Sequence, residues 1–182
     1  MAISRDKQCD NNYGGISEIY VFEYNKIPRS QIKVVDNILT LFPFSVIYNL
    51  NANQVNFSEP VDEEDGGVVY NQSGSFQLKK ILPTDNYKQF VAKDWRIIIR
   101  DNNGFYRLIG LETGVKIKFT KDTGTNLADF NGFKFSFETK EENTAPFIND
   151  LSGFSINDFP LWVDDNIDFI VDTNDNKIEV II

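Results

Sequence analysis

The sequence predicts a mainly β protein: two packed antiparallel β-sheets, one short α-helix over residues 84–93, and a C-terminal β extension. Three observations carry this reading. Apolar and polar residues alternate through 115–120 and 133–139, placing Val115, Ile117 and Phe119, then Phe133, Phe135 and Phe137, on one side. Turn residues separate the apolar runs at Asp101-Asn102-Asn103-Gly104, Glu112-Thr113-Gly114 and Asn131-Gly132. The helix rests on Tyr87, Phe90 and Val91 at i, i+3 and i+4, with Thr84 as its N-cap. With 41% hydrophobic residues and 16 Phe among 182 positions, burial can offset ordering entropy, which excludes a disordered chain.

Taken in order, residues 9–15 are polar and turn-rich, ending in Gly14-Gly15, which permits backbone conformations closed to other residues. Residues 16–24 read as a strand, with Ile16, Tyr20 and Phe22 on one side and Ile19 and Val21 on the other, or near a bulge. A break at 27–30 precedes a β-rich segment, 31–41, interrupted near Asp36-Asn37, and Phe42-Pro43 forms an extended corner. Strands follow at 44–50 and 52–58, then an acidic loop at 61–66. Residues 68–82 make one bent strand with Gly74 as its bend or bulge. Beyond the helix, 95–100 and 105–111 form a hairpin around Asn102-Asn103-Gly104. The loop at 121–132 contains Gly124-Thr125, but no Gly-Lys-Ser/Thr follows to make a phosphate cradle.

The texture changes after Asn143. Apolar islands at Phe147-Ile148, Phe154 and Phe159 to Trp162 stand in an acidic background, and a hairpin of 167–171 and 177–182 closes the chain. The expected domain division is therefore 1–147 for a β domain and 148–182 for an acidic extension. The apolar residues of the later segment, Phe147, Phe154, Phe159, Trp162, Ile178, Val180 and Ile182, are the candidate subunit-interface residues, because a terminal apolar strand needs a partner.

Composition narrows the chemistry. Histidine is absent, which removes Ser-His-Asp and Cys-His machinery together with the commonest transition-metal ligand. The single Cys9 excludes an intrachain disulfide and a structural zinc site. The first fifteen residues lack the apolar core of a signal peptide, so the chain is expected to be made and kept in a cytoplasm. No apolar run approaches the roughly 18 residues of a membrane helix, so no membrane partner is expected. Two acidic runs, 61–66 and 172–176, invite comparison with Ca²⁺ loops. The second has Lys177 where such a loop needs Gly, and both read as turns. A carboxylate-only hydrolase would have to draw on Asp62, Glu63, Asp164 and Asp165, adjacent acids with the character of solvated loop charges. The expectation is a protein without cofactor or metal that is not an enzyme.

The net charge of −9 is unevenly spread. Residues 76–140 carry twelve bases against seven acids, whereas 141–182 carry ten acids against Lys177 alone. Two readings stand side by side: ordinary solvated surface with local fluctuation, or an acidic segment that docks on a basic face of its own subunit or of a neighbour. Overall acidity argues against binding a phosphate backbone.

Three segments in a fixed order, CDNNYGGISEIYVF, WRIIIRDNNGFYRLIG and GTNLADFNGFKFSFETKEENTAPF, carry a resemblance. Together they resemble the tail tube-like or tail ring structural virion proteins of phages and prophages of Bacteroides-type bacteria, the crAss-like bacteriophages. The matching positions are Cys9, Gly14, Gly15 and Ile16; Asp101 to Gly104 with Ile109-Gly110; and Gly124, Thr125, Asp129, Asn131, Gly132, Phe133, Phe135, Phe137, Glu141, Ala145 and Pro146. The resemblance spans about 9–147. It implies a tail tube-like β-sandwich or barrel whose copies close a homo-oligomeric ring, a hexamer in preference to a dodecamer, around a lumen that conducts the genome during ejection. DNA would pass without specific binding, the other partners would be phage tail and connector proteins, and the location would be the virion, in the tail or near the portal. Residues 148–182 run past the expected end and suggest a specialised ring, such as a terminator, connector-proximal or short-tail component. The alternative is a monomeric β-sandwich module that binds glycans or proteins through Trp95, Tyr106 or Trp162.

Overall fold

The computed structural model describes residues 13–43, 45–64, 67–81, 87–158, 169–171 and 177–179. The N-terminal half gives β1 (Ile16–Glu23), β2 (Lys33–Val35), β3 (Ile38–Leu41), β4 (Ser45–Asn49), β5 (Asn53–Ser58), β6 (Val61–Glu64) and the long β7 (Gly67–Lys79). The helix α1 (Lys88–Ala92) leads into β8 (Trp95–Asp101), β9 (Tyr106–Ile109), β10 (Lys116–Asp122) and β11 (Gly132–Glu141). Short strands end the chain: β12 (Phe147–Ile148), β13 (Phe154–Asp158), β14 (Phe169–Val171) and β15 (Lys177–Glu179). The protein is mainly β, with two principal sheets, one of them curled into a half-barrel.

An eight-stranded sheet runs β13-β4-β1-β8-β9-β12-β3-β2, and a five-stranded sheet runs β10-β11-β7-β5 with β6 also on β7. The sheets pack face to face. Ile19, Val21, Ile97, Ile99 and Ile109 of the larger meet Phe76, Ile117, Phe133, Phe135 and Phe137 of the smaller. Phe76 and Phe135 stack with centroids 4.6 Å apart, and Phe90 from α1 meets Trp95 at 4.9 Å. Such ring pairs add about 0.5–1.5 kcal/mol each beyond the area they bury. The opposite face of the larger sheet holds a second core of Tyr20, Phe22, Ile47, Ile98, Leu108 and Ile148. Over it Phe22, Phe42 and Phe154 form a triad with centroid separations of 5.9–6.1 Å. Phe42 follows β3 and Phe154 lies on β13, so the curl brings the two ends of the sheet together.

Several expectations need correction. Two pairings in the larger sheet are parallel, β12 with β3 and β13 with β4, each joining segments more than a hundred residues apart. The register slips between Ile16 and Glu18, and this bulge moves Ile16 to the Ile19 and Val21 side. Residues 61–64 form a strand of a hairpin arm on β7, since backbone pairing with Gly67 to Tyr70 outweighs the acidic character of the run, and Asp62 and Glu63 project into water. β7 pairs with β11 without a slip at Gly74. A Cβ there would overlap the Asn56 carbonyl and the Phe137 ring, so the glycine makes room for close packing. The bulge lies across from it on β5, between Asn53 and Asn56.

The helix is one turn with Tyr87 at its N-cap, and the Thr84 position lies outside the described residues. A helix this short depends on packing rather than propensity. Phe90 is fully buried, while Val91, about 100° farther round the axis, is exposed. The closing hairpin is present as β14 against β15, with Ile170 across from Ile178; its turn lies outside the described residues. Phe147–Ile148 is an internal strand of the larger sheet and β13 is its edge, so that sheet extends through 158.

Candidate functional site

The positions that carry the sequence resemblance converge on a few clamps. At the β8–β9 turn, Asp101 Oδ1 accepts from the backbone N–H groups of Asn103 and Phe105, both at 2.9 Å. The tip then grips the lead-in to β1. Asn102 N–H donates to the Gly15 carbonyl (3.1 Å), Asn102 Nδ2 to the Gly14 carbonyl (2.6 Å), and Asn103 Nδ2 to the Tyr13 carbonyl (3.0 Å). Tyr13 N–H returns a bond to Asn103 Oδ1 at 3.1 Å. Gly15 has φ +98° and a Cβ on it would press on the Asn102 amide, so the Gly-Gly and Asp-Asn-Asn-Gly motifs form one unit.

A second clamp holds the turn 110–114. Gly110 N–H donates to Gln72 Oε1 (3.0 Å), and Arg96 Nε and Nη2 donate to the Leu111 carbonyl (3.2 and 3.0 Å). Glu141 accepts from the N–H groups of Glu112 and Thr113, both at 3.0 Å, and from Thr113 Oγ1 at 2.8 Å. Tyr24 donates its hydroxyl to the Glu112 carbonyl, and its ring lies 4.3 Å from the Arg96 guanidinium. Gln72, Arg96 and Glu141 are the buried polar residues among those described, each at most 3% exposed. Burial pushes the Glu141 carboxyl up from its ordinary value, opposed by its bonds from Thr113 and Glu112. Burial likewise pushes Arg96 down, opposed by Tyr24 and Glu141. Their polar atoms are spent on backbone partners, with the third Arg96 nitrogen on the Asn25 carbonyl at 3.0 Å. The cluster is built to fix a loop, with no donor or acceptor directed at a reactant.

The third motif supplies the remaining ties. Asp129 Oδ2 accepts from Thr125 and Asn126 N–H at 2.8 and 2.6 Å, and these bonds hold its carboxyl below the ordinary range. Asp122 Oδ1 takes the Gly124 N–H, so the loop's amides face carboxylates rather than a phosphate. Glu59 receives the Ala145 N–H at 2.8 Å and the Thr144 hydroxyl, and Leu108 N–H bonds the Pro146 carbonyl at 3.0 Å.

The candidate interface residues are scattered. Phe147 is half-buried, edge-on to Phe105 and 4.4 Å below the Arg107 guanidinium. Phe154 belongs to the intrachain triad. Ile178 is placed only through its strand pairing, while Phe159, Trp162, Val180 and Ile182 lie outside the described residues, as do Asp164 and Asp165. Asp62 and Glu63 are exposed on the hairpin arm, Asp62 accepting from Asn71 Nδ2. Among the described residues no group of three or more His, Cys, Asp or Glu could hold a metal ion, and no helix is long and apolar enough to cross a membrane.

Two surface features went unread in the sequence. Outward residues of the five-stranded sheet align in rows, Thr120-Lys134-Gln77-Asn53 and Lys118-Ser136-Ser75-Asn56. This polar apron carries the ion pairs Lys118–Glu138 (2.7 Å) and Lys134–Asp122 (2.6 Å). It lies between edges that pair with no further strand among the described residues, β10 on one side, beyond the Val115–Trp95 bridge, and β5 with β6 on the other. No family model, curated protein or solved structure matches the chain.

Proposed function

We propose that the chain is a ring-forming structural subunit of a phage tail or head–tail junction, and not an enzyme. The observation that carries this reading is the division of labour between inside and edge. The clustered polar side chains of the interior are spent on clamping turns, whereas among the described residues the five-stranded sheet keeps two unpaired edges beside a polar face that needs no cover. Unpaired edges invite strand addition, and closing a ring removes them. Six copies arranged head to tail would place each edge against a neighbour around a central lumen. A net charge of −9 suits a conduit that passes DNA without holding it. The ring would lie in the virion, stacked on other tail or connector proteins. The alternative, a monomeric glycan-binding module, loses one of its platforms, because Trp95 is only 4% exposed and lies in the core.

Mass photometry and negative-stain electron microscopy of the purified protein test the proposal. Closed rings or stacked rings are expected. A particle that stays monomeric at high concentration, also with neighbouring tail proteins present, would overturn it.

A further inference from the structure

We infer that the β6–β7 arm of one copy lies across the uncovered face of β12, β3 and β2 in a second copy, its Glu63 meeting Arg107 there. This deepens the ring reading and rests on it, by naming two surfaces that neighbouring copies bring together. Each is a stretch of core-side sheet face that runs past its own core.

The arm continues β7. Alternation turns Phe76, Gln72, Tyr70 and Val68 to the core side, and Phe76 and Gln72 are buried there. The register adds Val61 across from Tyr70 and Glu63 across from Val68. β11 ends level with Tyr70, so beyond it β6 and β7 form a two-stranded ribbon, which is marginal alone in water. Val61 and Val68 are each more than half exposed, with Glu63 exposed beside them.

The receiving face belongs to the larger sheet. One row runs Ile99-Arg107-Phe147-Ile38-Val35 across β8, β9, β12, β3 and β2. Ile99 is buried in the core between the sheets, but cover thins along the row, through half-buried Phe147 and Ile38 to exposed Val35. Phe105, also exposed, meets Phe147 edge-on and widens the patch. The Arg107 guanidinium is held 4.4 Å over the Phe147 ring, which fixes its orientation. Among the described residues neither Arg107 nor Glu63 forms a salt bridge.

The two surfaces match in kind: valines around a carboxylate on the arm, and Val, Ile and Phe around a guanidinium on the sheet. Joining them covers the apolar side chains and pairs the charges. Within one copy they do not meet, since Val61, Val68, Val35 and Phe105 all stay exposed. The contact therefore joins unlike surfaces of two copies, the arrangement that repeats around a ring.

Carbodiimide treatment of full-length Arg107→Lys chains, mixed as isotopically light and heavy, tests this. A crosslink between position 107 and Glu63 is expected to join light to heavy chains; its absence, or its confinement to single chains, would overturn the inference. Glu63→Arg or Arg107→Glu alone is expected to weaken assembly about tenfold, with recovery in the double variant. Val68→Ser is expected to weaken assembly while leaving the urea midpoint in place. Unchanged assembly in Glu63→Arg would also overturn the inference. Micrographs of the same samples separate the two readings. Rings without an interchain 63–107 crosslink refute the contact and keep the ring. Interchain 63–107 crosslinks in particles without rings refute the ring and keep the contact.

Discussion

Cutting the chain after Phe147 removes Ile148, 93% of whose surface is covered, and Phe154, which is half-buried against Phe22 and Phe42. Burial of Ile148 contributes about 2 kcal/mol, and Phe154 about half of a full aromatic burial, roughly 1–1.5 kcal/mol. Its two ring contacts add about 1 kcal/mol each. The loss is near 5 kcal/mol before the edge of β4 stripped of β13 is counted, and it approaches the whole stability of many domains. A chain ending at Asp158 keeps all of this. Both truncated chains lack Trp162, so Trp95, buried against Phe90, becomes the sole tryptophan reporter of the core. Urea unfolding followed by Trp fluorescence should place the 1–147 midpoint about 2 M below that of 1–158, or show it unfolded in buffer. The 1–158 chain should match the full-length midpoint. Equal midpoints for 1–147 and 1–158 would refute the reasoning, and β13 would then be an appendix.

Other expected outcomes follow from the clamps and the core. Arg96→Met leaves the Leu111 and Asn25 carbonyls without their donors in a buried site and should cost about 2–4 kcal/mol, read from urea unfolding. Gly74→Ala drives a methyl into the Asn56 carbonyl and the Phe137 ring, an overpacking cost of about 1–3 kcal/mol that should lower Tm by several degrees. Burial raises the Glu18 carboxyl, but bonds from Tyr20 and Arg100 outweigh it and hold the group below its ordinary 4.5. A lowered folded value stabilises above the unfolded pKa and is lost as pH falls through the folded one. Glu18→Gln should therefore cost about 0.5–1 kcal/mol at neutral pH and nothing at strongly acid pH, measured by thermal unfolding across that range.

What the sequence made legible was local. Asn-Gly and Gly-Gly turns, the alternation in β10 and β11 and the interruption at Asp36-Asn37, which the structure resolves as the β2–β3 hairpin, all rest on neighbours in the chain, so residue order alone reveals them. The β6 arm was missed because VDEE has no apolar alternation; its strand character comes from the backbone ladder with β7. The place of β12 and β13 was missed because charge shifts near Glu141 while topology does not, and a parallel partner a hundred residues away leaves no local mark. Arg96 within WRIII was visible as a lone cation in an apolar strand. Its acceptors, two loop carbonyls, are set by the tertiary fold.

The clamps also decide how far the resemblance reaches. Gly14, Gly15, Asp101 to Gly104, Gly110, Asp129, Glu141 and Ala145 each hold a turn, a positive φ or a backbone tie. Substituting Gly15, Gly104 or Gly110 strains a left-handed backbone, and substituting Asp101, Asp129 or Glu141 orphans backbone N–H groups, at a cost of roughly 1–3 kcal/mol each. A monomeric protein of the same fold would need these residues as much as a ring subunit would. They argue for the fold, and the role must be argued from positions the fold does not need. Lys79, Lys80 and Lys121 form no salt bridge among the described residues, and Leu127 is fully exposed. Stability alone gives little reason to keep such residues exposed, whereas on the proposed ring they would be available to a neighbouring copy. Substitutions there should leave the urea midpoint in place and change only the assembly state, and that separation distinguishes a ring subunit from a stable monomer.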